Sequence, residues 1–138
     1  MLTLEEKQNL AKVRFEHSMQ CLKTSQILVD ADDYKCAANR SYYALFHSMR
    51  AVLAFDGYDV KKHSAVISKF RLLYIKTGVF DSKLSNYITE MFEMRNDSDY
   101  DDFYLLSKED VENQINNAKE FLNAIKLYLL NKGVILSE

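Results

Sequence analysis

The chain contains no proline in 138 residues, and its only glycines are Gly57, Gly78 and Gly133. Proline and glycine are the residues that most often interrupt a helix. Long stretches are therefore free to run helical, and the three glycines fall where such stretches would stop. The 48% apolar and 28% charged content is ordinary for a globular chain. The length suits a single domain, 1–138, able to bury a core without staples.

Apolar spacing then predicts an all-α fold, an up-and-down four-helix bundle with an additional short helix. Thr3 and Glu6 form a capping-box pattern. Leu10, Val13, His17, Cys21 and Leu28 recur at helical spacing to about Val29, with Thr24 filling the gap. Asp30 to Tyr34 reads as a turn rich in N-cap residues. A second helix is expected over Tyr34–Phe55, apolar over a wide arc and therefore central. A shorter helix is expected over Ser64–Ile75, closed by Gly78. Asp81 or Ser82 can cap the next, whose stripe runs Leu84, Ile88, Met91, Arg95 before an acidic loop. Ser107 with Asp110 opens a last helix, which runs through Val111, Ile115, Ala118, Phe121, Leu122, Ile125 and Leu129 to Gly133. The final "GVILSE" is too short to build a sheet alone.

Several function classes lack support. Net charge is −2, so no bulk basic character points to duplex DNA or an anionic membrane. No apolar run approaches the ~20 residues that span a bilayer. The start of the chain is unlike a signal peptide, and Cys21 and Cys36 read as inert buried thiols. A cytoplasmic protein without a cofactor is the simplest expectation. Asp97, Asp99 and Asp101 alternate like the start of an EF-hand loop, but Asp102 and Lys108 stand where that loop needs glycine and glutamate. His17, His47 and His63 are scattered, with no zinc-type spacing, so no metal site is expected.

Arg95 is the residue that needs explanation. A guanidinium on an apolar stripe must be paired or must open into a cleft. One reading is an internal ion pair with Asp99, Asp101 or Asp102. The other is a phosphate or RNA ligand, with Asn39 and Tyr43 offered from the second helix. His63, in "KKHSAV", is open to a capping role or a cleft role.

"AANRSYYALFHSMRAVLAFDGYDVKKHSAVISKF" followed by "MRNDSDYDDF" resembles the HEPN superfamily (higher eukaryotes and prokaryotes nucleotide-binding). The likeness is to its small, stand-alone prokaryotic branch and covers roughly residues 5 to 130. It rests on the order of a YYA-bearing helix, an HS-x-V-I segment and an Arg-x-x-x-Asp-Tyr stretch. The resemblance implies a homodimeric helical bundle. Such proteins are often paired with a minimal nucleotidyltransferase as toxin–antitoxin systems, and many are metal-independent ribonucleases or nucleotide binders. Within it, Arg95 and Asn96 match the motif arginine and the polar residue after it, and Asn39 matches a polar residue on the second helix. Tyr100 stands where the motif histidine is expected, and tyrosine, with a pKa of about 10, is a poor base near neutrality. A nucleotide- or RNA-binding partner protein is the first expectation, with Asn39, Tyr43, Arg95 and Asp99 holding the ligand. A ribonuclease toxin using Arg95, Asn96 and Tyr100 comes next, and a non-catalytic structural dimer third. The resemblance also implies that Tyr100 or Tyr104 could accept a nucleotidyl group from the partner.

Overall fold

The fold is seen in a computed structural model that describes residues 2–136; Met1, Ser137 and Glu138, the last two from the "GVILSE" tail, lie outside the described residues. It is a bundle of five α-helices, and no strand occurs among the described residues.

Helix α1 spans Leu4–Asp30 and begins with the expected capping box: the Thr3 hydroxyl accepts from the Glu6 amide at 3.1 Å, and the Glu6 carboxylate accepts from the Thr3 amide at 2.9 Å. Its inner face differs from the expected stripe. Ala11, Phe15, Ser18, Leu22, Ser25 and Val29 are buried together with Cys21, whereas Val13 and His17 are exposed. The physical reason lies in the two serines. Ser18 donates to the Phe15 carbonyl at 2.5 Å, and Ser25 donates across to the Ala37 carbonyl at 2.6 Å. Small and internally satisfied, they let α1 approach α2 closely, which a count of apolar side chains overlooks.

Helix α2 covers Tyr34–Phe55, as predicted. Asp33 caps it by accepting from the Cys36 amide at 3.2 Å. That places Cys36 in the exposed first turn, so only Cys21 is the buried thiol expected of both. Contacts of Ser25 with Ala37, His17 with His47 and Arg14 with Arg50 show that α1 and α2 run antiparallel. More than half of α2 is buried, and it packs against every other long helix.

Helix α3 covers His63–Phe70 and widens into a π-helical turn over Arg71–Ile75, where one continuous helix was expected. Phe70 and Tyr74 anchor this segment in the core, and the Tyr74 hydroxyl donates to the Asp56 carboxylate at the end of α2.

Helix α4 corrects the largest expectation. It spans Lys83–Tyr100, so the first half of the acidic run is helical rather than a loop. Nothing in residues 95–100 breaks a helix, and the inner stripe continues Leu84, Ile88, Met91, Arg95, Ser98 in steps of four and three. Asp97 and Asp99 lie off that stripe, and only at Asp101 does the backbone turn extended. A calcium loop is thereby excluded on geometry as well as sequence. At the other end, Asp81 accepts from the Lys83 amide at 2.9 Å, whereas Ser82 makes no side-chain cap bond.

Helix α5 spans Lys108–Asn131. Ser107 caps it at 3.0 Å through the Asp110 amide, and all seven predicted stripe residues are buried. Gly133, at φ +88°, closes it with a Val134 amide bond back to the Leu129 carbonyl at 3.0 Å. Phe70 packs on Phe121 with ring centroids 5.6 Å apart, so α3 and α5 share the core. No helix among the described residues is long and apolar enough to cross a membrane.

Candidate functional site

The faces of α3 and α4 that look at each other do not close. They bound an open cleft of about 890 Å³. Ile67, Ile88 and Phe92 give it an apolar floor, and Lys62, His63, Arg71 and Arg95 bring positive or protonatable groups to its wall. Ser64, Ser68 and Thr89 add hydroxyls, and Glu93 is the one acid among the lining residues. Arg71 is already engaged: it donates to the Ser85 hydroxyl at 2.9 Å, the Ser85 carbonyl at 3.0 Å and the Thr89 hydroxyl at 2.6 Å. Lys62 and Arg95 therefore carry the charge available to a ligand, with the His63 imidazole beside them.

His63 is fixed from behind by α2. Its Nδ1 shares a 2.8 Å hydrogen bond with the Tyr42 hydroxyl, and its ring stacks on Phe46 at 4.1 Å. Burial pushes the Tyr42 phenol up to about 12, against the opposing charge of Arg95. Burial, and then Arg95, lower the His63 pKa, so its imidazole is neutral near pH 7. The bond to Tyr42 occupies Nδ1 and leaves Nε2 for solvent or ligand.

Arg95 joins both readings set out from the sequence. Its side chain is 18% exposed and lines the cleft. One terminal nitrogen donates to the Tyr43 hydroxyl at a long 3.4 Å, and the guanidinium carbon lies 5.4 and 5.6 Å from the Tyr42 and Tyr43 ring centres. Asp99, one turn on, lies 3.2 Å from Nε. Proximity and alignment disagree here: Nε is buried and has no hydrogen-bond partner, so the Asp99 contact is electrostatic rather than a formed bond.

The other residues singled out from sequence divide. Tyr43 meets Arg95, but Asn39 does not. The Asn39 side-chain oxygen Oδ1 accepts from Arg40 at 3.0 and 3.4 Å, and Asn39 lines a separate hollow of about 520 Å³ with Arg40, Ser98 and Asp99. Tyr43 links the two places, because the Arg40 guanidinium sits 4.9 Å from its ring centre. Asn96 is half-buried and is not among the cleft-lining residues. Tyr100 is 79% exposed at the far end of α4, outside the cleft. Tyr104 is half-buried, its pKa raised by burial and then by Asp97 and Asp110.

Sequence reasoning underrated His63 and did not mark Lys62 or Arg71. The signal was present: Lys61, Lys62 and His63 stand together just before a helix, and residues 64, 67, 68 and 71 share one helical face. The histidines are also less scattered than they read, because His17 and His47 stack at 4.0 Å. Burial first, then His17 and the arginines Arg50, Arg40 and Arg14, depress the His47 pKa to about 4.

The HEPN domain family model matches residues 11–128. "Putative toxin MJ0142" of Methanocaldococcus jannaschii is 33% identical over 138 residues, covering 100% of this chain and 93% of that protein. A "UPF0332 protein" of Thermotoga maritima is 32% identical over 123 residues, 89% of this chain and 93% of that one. "Putative toxin MJ0605", also from M. jannaschii, is 32% identical over 88% of this chain and 87% of its own length. With its helical bundle and a match across most of its length, the chain belongs to the HEPN family.

Proposed function

We propose that this HEPN protein binds the phosphate-bearing part of a nucleotide or RNA in the cleft between α3 and α4. It acts as a homodimeric component of a toxin–antitoxin-like pair with a minimal nucleotidyltransferase. The observation that carries this reading is the convergence of Arg95, His63 and Lys62 on one cleft floored by Phe92 and Ile88. Cations supply the phosphate contact, and an aromatic floor suits a base or ribose. The whole-length likeness to proteins with toxin in their names supports the system assignment.

The test is equilibrium binding of a fluorescent single-stranded RNA, with an unlabelled nucleotide as competitor. Removing either cation, in Arg95→Ala or in Lys62→Ala, should weaken binding about 10-fold or more. The slope of affinity against salt should fall in each variant. Unchanged affinity in both, with the fold intact, removes the cleft from the account. Co-expression and co-purification with a minimal nucleotidyltransferase test the pairing. If that partner nucleotidylates this chain, the exposed Tyr100 is the better acceptor than half-buried Tyr104, and mass spectrometry of the co-expressed protein identifies the site.

A metal-independent ribonuclease is the second reading, and one observation favours it over the form read from sequence. His63, neutral and anchored through Nδ1, shares the cleft with Arg95, whereas Tyr100 does not. In this version His63 performs the proton transfer that the sequence motif would give to Tyr100, and Arg95 stabilises the phosphate. Cleavage in the presence of chelator, abolished in His63→Ala and kept in Tyr100→Phe, supports it; RNA left intact by the wild type removes it while leaving the binding reading in place.

A further inference from the structure

The seam between α1 and α2 carries a second cluster that the α3–α4 cleft does not use. His17 and Cys21, four apart on one face of α1, meet His47 of α2. One donor atom from each lies within 4.8 Å of the other two. We propose that His17, Cys21 and His47 bind a single transition-metal ion of the zinc class, with solvent completing the coordination.

Two imidazoles and a thiolate are the donors that zinc and cobalt prefer over calcium or magnesium. A tetrahedral ion with Zn–N near 2.0 Å and Zn–S near 2.3 Å needs donors about 3.4 Å apart. The donors lie within 4.8 Å of one another, and turning the two stacked rings, 21° apart, to converge on one ion takes χ2 rotation, open to the exposed His17. The burial pattern fits an open three-ligand site. Cys21 is buried, His47 is half-buried and His17 is exposed, so an ion can enter from solvent and keep a solvent ligand there.

The surrounding charge is the main objection. Arg14, Arg40 and Arg50 all act on His47. Asp59 offsets two of them, lying 3.3 Å from Arg14 and 3.6 Å from Arg50. Arg40 donates to Asn39 and lies over Tyr43, but it also borders the Cys21 thiol, where its charge favours a thiolate ligand. Binding also releases the Cys21 proton, and the thiolate formed adds a negative charge at the centre.

Cobalt(II) added to chelator-stripped, full-length protein is the direct probe. A thiolate-to-cobalt charge-transfer band should rise to saturation at one ion per chain, and zinc should displace it. Cys21→Ser should abolish the band. His17→Ala changes an exposed side chain, leaves the helix intact, and should weaken binding by more than the roughly 10- to 100-fold that a group merely supporting a ligand is worth. Cys36→Ser should leave the band unchanged, because that thiol sits apart in the first turn of α2. Zinc should also raise the melting temperature of the wild type, and less so that of His17→Ala. No band in the wild type overturns the proposal, as does a band retained in Cys21→Ser or equal affinity in His17→Ala. Far-ultraviolet circular dichroism of each variant checks that the fold survives.

Discussion

Replacing Arg95 by methionine separates a residue that holds the fold from one that holds a ligand. The substitution removes the Asp99 contact, which as an i,i+4 pair with its acid on the C-terminal side is worth about 0.3–0.5 kcal/mol. It also removes two cation–aromatic contacts, worth about 0.5–1 kcal/mol each. The 3.4 Å bond to Tyr43 is too long to add much. Against this total of about 1.3–2.5 kcal/mol stands relief from a buried Nε with no hydrogen bond, worth about 1–3 kcal/mol. Methionine also keeps most of the apolar packing, including that with the tyrosine rings. The expected net change is within about 1 kcal/mol of zero, a melting shift of no more than about 4 °C. Urea unfolding followed by circular dichroism measures it, alongside RNA affinity. A destabilisation of about 3 kcal/mol or more, on the scale of breaking a well-formed buried pair, would refute this reasoning and favour the purely structural dimer.

Other expectations follow from the same geometry. His47 should make the protein acid-sensitive: its folded pKa of about 4 lies below the ordinary 6.5, so the unfolded chain takes up a proton that the folded one refuses. Metal-free stability should therefore fall as pH drops from 6.5 toward 4, by up to about 2 kcal/mol after discounting for the partly solvated ring, and His47→Gln should flatten that fall in pH-dependent urea unfolding. Ser107→Ala removes the α5 cap and should cost about 1 kcal/mol by denaturant midpoint, with the m-value unchanged. Gly133→Ala forces a Cβ into a left-handed turn at φ +88° and should cost about 1–2 kcal/mol by the same measurement. Tyr100→Phe, altering a hydroxyl outside the cleft, should leave RNA affinity unchanged, whereas His63→Ala should reduce it.

The legible parts of the fold were those set by local chemistry. The Thr3–Glu6 box, the Ser107 cap, the limits of α2 and the full stripe of α5 all follow from residues a few positions apart. The α1 face was misread because Ser18 and Ser25 are buried through bonds to backbone carbonyls, which apolar spacing does not register. The α4 end was misread because aspartates favour turns, yet here the stripe through Arg95 and Ser98 holds the helix to Tyr100. At the site, periodicity placed Arg95 inward, but the union of His63 with Arg95 depends on two separate helices meeting. No spacing along the chain encodes that. The same holds for His17 and His47, far apart in sequence and stacked in space.

The most direct test of the central claim is an NMR titration of isotopically labelled protein with a nucleotide. If the α3–α4 cleft is the ligand site, shifts should cluster at the amides of Ser64, Ser68 and Thr89, at the His63 ring and at Arg95 Nε, and should vanish in Arg95→Met. Shifts gathered instead around Asn39, Arg40 and Asp99, or no shifts under conditions where RNA binds, would contradict it.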